Sequence, residues 1–342
     1  MPDEEVMITT TIIRQIEQFW DLQINQESLR NLSGGDTNKS FLANTSLGKC
    51  VIKDINIMQY IKDYQTNREE LLQSLTFVEN VAKNQHGNVV CAVEGKKGVF
   101  LENKDNVFLL YPYRNGQILA NEKIKTGMVS LIAAKLNEIH HTQENYDKAF
   151  AQQKGEKYYT IAEQLIMSKW WTLFSKLSQT THLFPRLKSI ANFLVCNQVL
   201  FFQALQEASL NALCHNDLKP KNVLWTTENN DFWILDWETA SEFDYKIDYL
   251  DTLIAWSAEY SNNRLFLNPN KARAFQEAYP LMREELQLSV YLVLIKWYFW
   301  LYFCIAKSLR HPVLVFQQLA LIKEAITYIE CIINEKELVM LK

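Results

Sequence analysis

At 342 residues the chain is long enough for two lobes with a substantial core. Hydrophobic residues make up 48% and charged residues 22%, the composition of an ordinary globular protein, and the net charge of −4 argues against a general nucleic-acid binder, which carries a basic surplus. The mild acidity fits a cationic small molecule as readily as it fits a plain soluble protein. The six cysteines, Cys50, Cys91, Cys196, Cys214, Cys304 and Cys331, form no CxxC pair and no zinc spacing, which predicts reduced, buried thiols and a cytoplasmic setting. The acidic segment Met1 to Glu5 lacks the apolar core of a signal peptide.

In chain order, Ile12 to Leu22 has helical spacing. A glycine turn between two short strand-like runs follows within Leu32 to Phe41. Phe41 to Ala43 and Cys50 to Lys53 read as paired strands around the turn Ser46 to Lys49. Asn67 to Lys83 is a helix with Leu71, Leu75, Val78 and Ala82 on one face. Val89 to Val93, Gly98 to Leu101 and Val107 to Tyr111 read as strands, the last bounded by Pro112. Beyond a short hinge at Pro112 to Gly116 the character turns helical: Met128 to His141, Tyr158 to Leu177 and Ile190 to Leu210. Val223 to Trp225 and Phe232 to Leu235 are strands around a turn at Glu228 to Asn230, and the remainder is expected to be helical without strands. Ser289 to Ala306 is nearly all apolar or aromatic, but Lys296 in its middle is costly in lipid, so a buried helix is expected and no membrane span. The organisation is α+β: a strand-rich lobe over residues 1–112 and a mainly helical lobe over 113–342.

The most informative segment runs from Cys214 through His215, Asn216, Asp217, Leu218, Lys219, Pro220 and Lys221 to Asn222, followed by Ile234 to Glu238. It sets an Asp, an Asn five residues later and a second Asp fourteen residues after that. Phosphoryl transfer from ATP needs a carboxylate to accept a hydroxyl proton, and an amide and a carboxylate to hold Mg²⁺. Asp217 suits the first role; Asn222 and Asp236, hard oxygen donors, suit the second. His215 would brace the loop. Upstream, Gly34 and Gly35 with Thr37, Asn38 and Ser40 would let backbone N–H groups and hydroxyls approach phosphates. Lys53 would neutralise the α and β phosphates. Glu70, which precedes the buried Leu71, is the expected ion partner of Lys53, with its neighbour Glu69 as the other choice. Leu109 to Tyr113, including Tyr111 and Tyr113, would form the hinge whose backbone binds adenine.

These residues together resemble the aminoglycoside phosphotransferase and choline kinase superfamily, relatives of the protein kinases, over roughly Asn31 to Lys307. The resemblance implies a two-lobed protein-kinase-like fold with a small antiparallel-sheet N-terminal lobe and a larger helical C-terminal lobe, and ATP and Mg²⁺ as cofactors. Lys219-Pro220 also looks like the protein-kinase catalytic loop, but Asp236-Trp237-Glu238 stands where Asp-Phe-Gly would, which favours a small-molecule kinase. Choline and ethanolamine kinases look closest, since their loop begins His-Asn-Asp where many antibiotic kinases have His-Gly-Asp. Their glycine turn is similar to Gly34 to Asn38. Their acid, Trp and Tyr at offsets of twelve, twenty and twenty-four after the metal aspartate match Asp248, Trp256 and Tyr260. Their aromatic helix, part of a cage for a quaternary ammonium, is similar to the run containing Trp297, Tyr298, Trp300 and Tyr302. Aromatic faces suit a permanent cation, with Asp248, Asp251 and Glu259 as accompanying acids. Departures stand at Asp251, where the family commonly has Asn, at Ala255, where it has an acid, and at Lys296, a cation amid the aromatics.

The leading expectation is an ATP-dependent kinase for a hydroxyl of choline or ethanolamine. An aminoglycoside, thiamine or other amino-alcohol kinase is the alternative, in which Glu238, Glu242, Asp244, Asp248 and Asp251 would line a polycation site. A nucleotide-binding pseudokinase scaffold and a protein kinase are the remaining readings. Intact Asp217, Asn222, Asp236 and Lys53 speak against the scaffold, and the lack of a recognisable activation segment speaks against the protein kinase.

Overall fold

Thr9 opens the first helix, α1 (Thr10–Trp20), by accepting the Ile12 N–H with its hydroxyl. Ile13, Ile16 and Trp20 fall on one face and are buried. Three strands follow: β1 (Ile24–Leu32), β2 (Lys39–Thr45) and β3 (Gly48–Asn56). The β2–β3 register, Thr45 opposite Gly48, closes a tight turn in which Gly48 takes φ 99°, the left-handed region open to glycine. Two helices, α2 (Ile57–Tyr64) and α3 (Arg68–Asn84), precede β4 (Phe100–Glu102) and β5 (Asn106–Pro112). The five strands make one antiparallel sheet in the order β1-β2-β3-β5-β4. Alternation along β5 divides its side chains between two cores. Phe108 and Leu110 join α1, with Phe41 and Ile52, whereas Val107 and Leu109 join Leu71 and Leu75 of α3, with Ile55. This is why β5 reads as an unbroken apolar run.

The next five helices are α4 (Thr126–His140), α5 (Lys148–Ile166), α6 (Lys169–Lys176), α7 (Leu183–Cys196) and α8 (Gln198–Glu207). Then β6 (Ala212–Cys214) leads into a loop, a 3₁₀ turn at Pro220–Asn222 and the hairpin of β7 (Val223–Trp225) and β8 (Phe232–Ile234). β9 (Ser241–Phe243) pairs with β6. Next come α9 (Tyr245–Ser257), the paired β10 (Ala258–Ser261) and β11 (Arg264–Leu267), α10 (Pro269–Ala278) and the short α11 (Arg283–Leu286). Two long helices, α12 (Ser289–Arg310) and α13 (Val315–Val339), pack together. Every residue of α9 from Ile247 to Ser257 is buried, and α4, α10 and α12 surround it.

The structure, a computed structural model, describes residues 8–32, 38–85, 87–142, 146–176, 183–226, 231–261, 264–310 and 315–339. Gly34, Gly35 and Thr37, and the turn at 228–230, lie outside the described residues. The chain forms two compact units, Met1–Gln117 with Leu224–Glu238, and Ile118–Val223 with Thr239–Lys342. In the first, Ile234 bridges Val89 and Trp225 bridges Gln117, so the β7–β8 hairpin is tied to that unit by backbone hydrogen bonds.

Several elements differ from expectation. β1 reaches much further back than the short strand-like run expected ahead of the glycine turn, because its exposed edge position lets it be polar: only Ile24 is buried. Val89 to Val93 makes one bridge and no full strand. The two long helices expected between Tyr158 and Leu210 are each cut, after Ile166 and after Cys196. Strands β9, β10 and β11 stand where only helix was expected. The apolar run in α12 is long enough by composition to cross a membrane, yet it packs within the second unit and seats Lys296 on an internal carboxylate.

Candidate active site

In the first unit, Lys53 lies on β3 opposite Ser40 and Leu109. Its ammonium pairs with Glu238 and, at 3.3 Å, with Asp236 Oδ1. Asn38 Nδ2 donates to Glu238 Oε1 at 3.3 Å. Burial alone would push the Lys53 ammonium down; the Glu238 and Asp236 carboxylates more than reverse this and hold it charged far above the usual lysine range. Glu238, expected on the substrate side, is therefore the counter-ion of Lys53. Asp236 stands two residues past the end of β8 in a left-handed conformation, φ 60°, which Asp tolerates better than most residues. Its side chain is 44% exposed.

The expected Lys53–Glu70 pair is not formed. The Glu70 carboxylate accepts the Thr66 hydroxyl, and the Glu70 backbone N–H donates to the side-chain oxygen of Asn67, the cap of α3. The glutamate nearer Lys53 electrostatically is Glu79, buried on the inner face of α3. Burial pushes its carboxyl up, against hydrogen bonds at 2.6 Å from the Tyr111 hydroxyl and the Ala92 N–H and the charge of Lys53. Its signal was present in the sequence: Glu79 stands four residues after Leu75, in the apolar stripe itself, whereas Glu70 only adjoins that stripe. Tyr111 thus spends its hydroxyl on Glu79, and Tyr113 donates its backbone N–H to the Lys49 carbonyl at 3.0 Å.

In the second unit, the loop after β6 is fixed from behind. Asp248 Oδ2 accepts the His215 N–H at 2.9 Å, and its Oδ1 accepts the Asn216 N–H at 3.0 Å. His140 Nε2 lies 3.2 Å from Oδ2, and His140 Nδ1 lies 3.0 Å from the Tyr279 hydroxyl. Burial would raise the Asp248 carboxyl; the hydrogen bond and charge of His140, with Lys296, hold it below the usual range. At 1% exposure Asp248 is a brace of the loop and not a substrate contact. Trp256 likewise donates its indole N–H to the Leu218 carbonyl at 2.8 Å and is fully buried, so it too supports the loop and lines no substrate site. Asn216 sits at φ 63°, with Nδ2 on the Thr239 carbonyl (3.2 Å) and the Ser241 hydroxyl (3.0 Å).

This frame presents Asp217. Its Oδ1 is 2.7 Å from Lys219 Nζ, and its Oδ2 accepts from Asn222 Nδ2 at 2.8 Å. The same Asn222 amide donates to the Asp217 backbone carbonyl at 2.8 Å. Burial pushes the carboxyl up, but Lys219 above all, then Lys296 and Lys221, bring it down to about 2. Asp217 is therefore ionised at any physiological pH. Lys219, conversely, is kept charged by Asp217 and Asp251 against the opposing effect of burial.

The expected substrate residues on α9 and α12 meet one another. Asp251 accepts from Lys296 Nζ at 2.6 Å and from Trp297 Nε1 at 2.8 Å. Lys296 also donates to the Asn216 carbonyl, so it points inward to the loop and is neutralised there. Trp297 stacks on Tyr328 of α13, and Trp300 stacks on Phe303 with centroids 5.4 Å apart. The role of Tyr328 escaped sequence reasoning, since α13 carries no motif. Glu259 pairs with Lys271 at 2.7 Å, and Tyr260 is 61% exposed.

A magnesium ion fits the donor chemistry of the two expected ligands, each taken by itself. Asn222 spends its N–H₂ group on Asp217, leaving its carbonyl oxygen as a hard donor. Asp236 engages Lys53 through one oxygen and is the more exposed carboxylate of that pair's two acids. Oxygen donors of this kind suit Mg²⁺.

The choline/ethanolamine kinase family model matches residues 107–287. No curated protein sequence matches the chain. In fold it is similar to a spectinomycin phosphotransferase solved with ADP and spectinomycin (TM-score 0.66, 13% identity, covering 97% of this chain and 100% of that one). It is also similar to a choline kinase from Cryptosporidium parvum (0.56, 11%, 92% and 90%) and to an ethanolamine kinase from Plasmodium vivax (0.52, 12%, 90% and 82%). The fold is thus that of the small-molecule phosphotransferases related to protein kinases. As the family match takes in more than half of the sequence, including the loop around Asp217, the chain belongs to the choline/ethanolamine kinase family.

Proposed function

We propose that the protein is an ATP- and Mg²⁺-dependent kinase that phosphorylates the hydroxyl of a small amino alcohol of the choline and ethanolamine class. One observation carries this reading: the Asp217 carboxylate, paired with Lys219 at 2.7 Å and so held ionised, sits on a loop whose backbone is pinned by Asp248. An aligned, permanently ionised carboxylate is what a hydroxyl nucleophile needs. Asp217 accepts the acceptor's O–H proton as the oxygen bonds to the γ-phosphorus. The bond from that phosphorus to the bridging oxygen breaks, and ADP leaves with the electron pair. Lys53 neutralises phosphate charge. Asn222 and Asp236 would hold Mg²⁺, which when bound supplies further neutralisation of the phosphate oxygens.

Polycationic antibiotics fit less well. Glu238 pairs with Lys53, Glu242 accepts from Tyr146 (2.8 Å) and Gln152 (3.1 Å), and Asp244 caps α9; Asp248 and Asp251 are engaged as described. Each acid of that cluster therefore has an internal partner. The test is ADP release with Mg·ATP and choline, ethanolamine, thiamine or kanamycin supplied separately, with Asp217→Ala as control. Turnover of either amino alcohol that Asp217→Ala abolishes is the expected result. Turnover of kanamycin alone, or ATP binding with no turnover of any of the four, would overturn it.

A further inference from the structure

The indole of Trp297 was expected to offer a face to a cationic acceptor. In the structure the ring already has partners of its own. Tyr328 lies parallel to it at 4.3 Å, inclined by 6°, and fills one side. Lys219 Nζ also stands over the ring, 4.7 Å from the indole centroid. The ring edge is fixed as well, since its N–H donates to Asp251 at 2.8 Å, and Trp297 is only 4% exposed. Lys219 is held in place by Asp217 Oδ1 at 2.7 Å. The seat for a cation beside the base is thus filled by an ammonium belonging to the chain.

We propose that Lys219 is an acceptor-selectivity residue: its ammonium occupies the Trp297 face next to Asp217 and bars a quaternary ammonium from it, so that the acceptor is a non-quaternary alcohol. The chemistry of exchange decides this. A trimethylammonium group arriving at Trp297 regains the cation–π attraction that Lys219 gives up. It has no N–H, however, and cannot replace the charge-assisted hydrogen bond that Lys219 gives Asp217. Displacement therefore loses an interaction that nothing restores. A primary amino alcohol such as ethanolamine carries N–H donors that can be met by carbonyl or carboxylate oxygens, and needs no aromatic face. The proposal rests on the reading of Asp217 as the base and narrows the substrate class of that same site.

The experiment titrates tetramethylammonium into the full chain by calorimetry, comparing wild type, Lys219→Gln, Lys219→Arg and the double variant Lys219→Gln/Trp297→Leu. Lys219→Gln is expected to bind about tenfold more tightly than wild type, Lys219→Arg like wild type, and the double variant to lose the gain. Equal binding by wild type and Lys219→Gln, or a gain that survives Trp297→Leu, would overturn the proposal. Should Lys219→Gln not fold, wild type alone decides by acceptor preference. A kcat/KM for ethanolamine at least about tenfold above that for choline supports the proposal, and the reverse order sinks it. If neither alcohol is phosphorylated, the kinase reading fails, while the binding comparison still judges Lys219.

Discussion

The two units treat charge in opposite ways. In the first, a single ammonium, Lys53, stands among carboxylates: Glu238 and Asp236 in contact, Glu79 behind them. In the second, a single working carboxylate, Asp217, stands among ammoniums: Lys219 in contact, Lys296 and Lys221 near. Excess acid around one lysine leaves oxygen free for a metal ion and keeps the lysine charged for phosphate. Excess base around one acid keeps that acid ionised despite its partial burial. The difference teaches that each half is tuned to hold its one odd charge in the reactive state, by neighbours of opposite sign and not by exposure to water.

The comparison breaks most visibly at Asp217. Asp217→Ala should lower kcat by about 10³-fold, read by ADP release, with the circular-dichroism spectrum unchanged. Asp248→Ala should act on the fold instead. It strands the buried N–H groups of His215 and Asn216, and urea unfolding should show a loss of about 3 kcal/mol, with a smaller loss for Asp248→Asn. In the acid-rich half, Lys53→Met should reduce kcat/KM for ATP by about 30-fold, as the odd charge there disappears.

A pH series sharpens the contrast. Asp217's folded pKa lies below its unfolded value, so the stability it contributes is complete above about pH 4 and is lost only as pH falls through about 2. The acid limb of kcat/KM should therefore owe nothing to Asp217 above about pH 4 in wild type, and should move to higher pH in Lys219→Gln, where burial acts with its main opponent removed. The smallest effect is expected at Glu70. Glu70→Ala should change stability by less than about 0.5 kcal/mol and leave the KM for ATP unchanged, whereas Glu79→Ala should affect both.

Local patterns were legible in the sequence and long-range partners were not. The β2–β3 pair, α3 and β5 announced themselves by alternation or helical spacing, because their burial is one-sided or complete. Most of β1, ahead of the run that enters the glycine turn, stayed hidden because its side chains mostly face water. Within the site, the five-residue spacing marked Asp217 and Asn222 as parts of one loop, but not that the Asn222 amide would donate to the Asp217 carboxylate. What that spacing does not carry is the register between distant helices. Nothing in Trp297 alone says that Tyr328 and Lys219 pack on its ring, or that Asp251 is satisfied by Lys296. The offsets that singled out Asp248 and Trp256 were informative about position. Their burial shows that they serve the loop backbone, which substrate-based reasoning had no means to separate from ligand contact.

The left-handed turn at Asn216 alters how the motif itself is to be read. At φ 63° glycine is the residue of least conformational cost, and asparagine is the common substitute that can adopt the same shape. Asn216 is thus one solution to a torsional demand that glycine would also meet. The asparagine solution adds a side-chain tether to Thr239 and Ser241. The middle residue of the motif thereby stiffens the loop that presents Asp217.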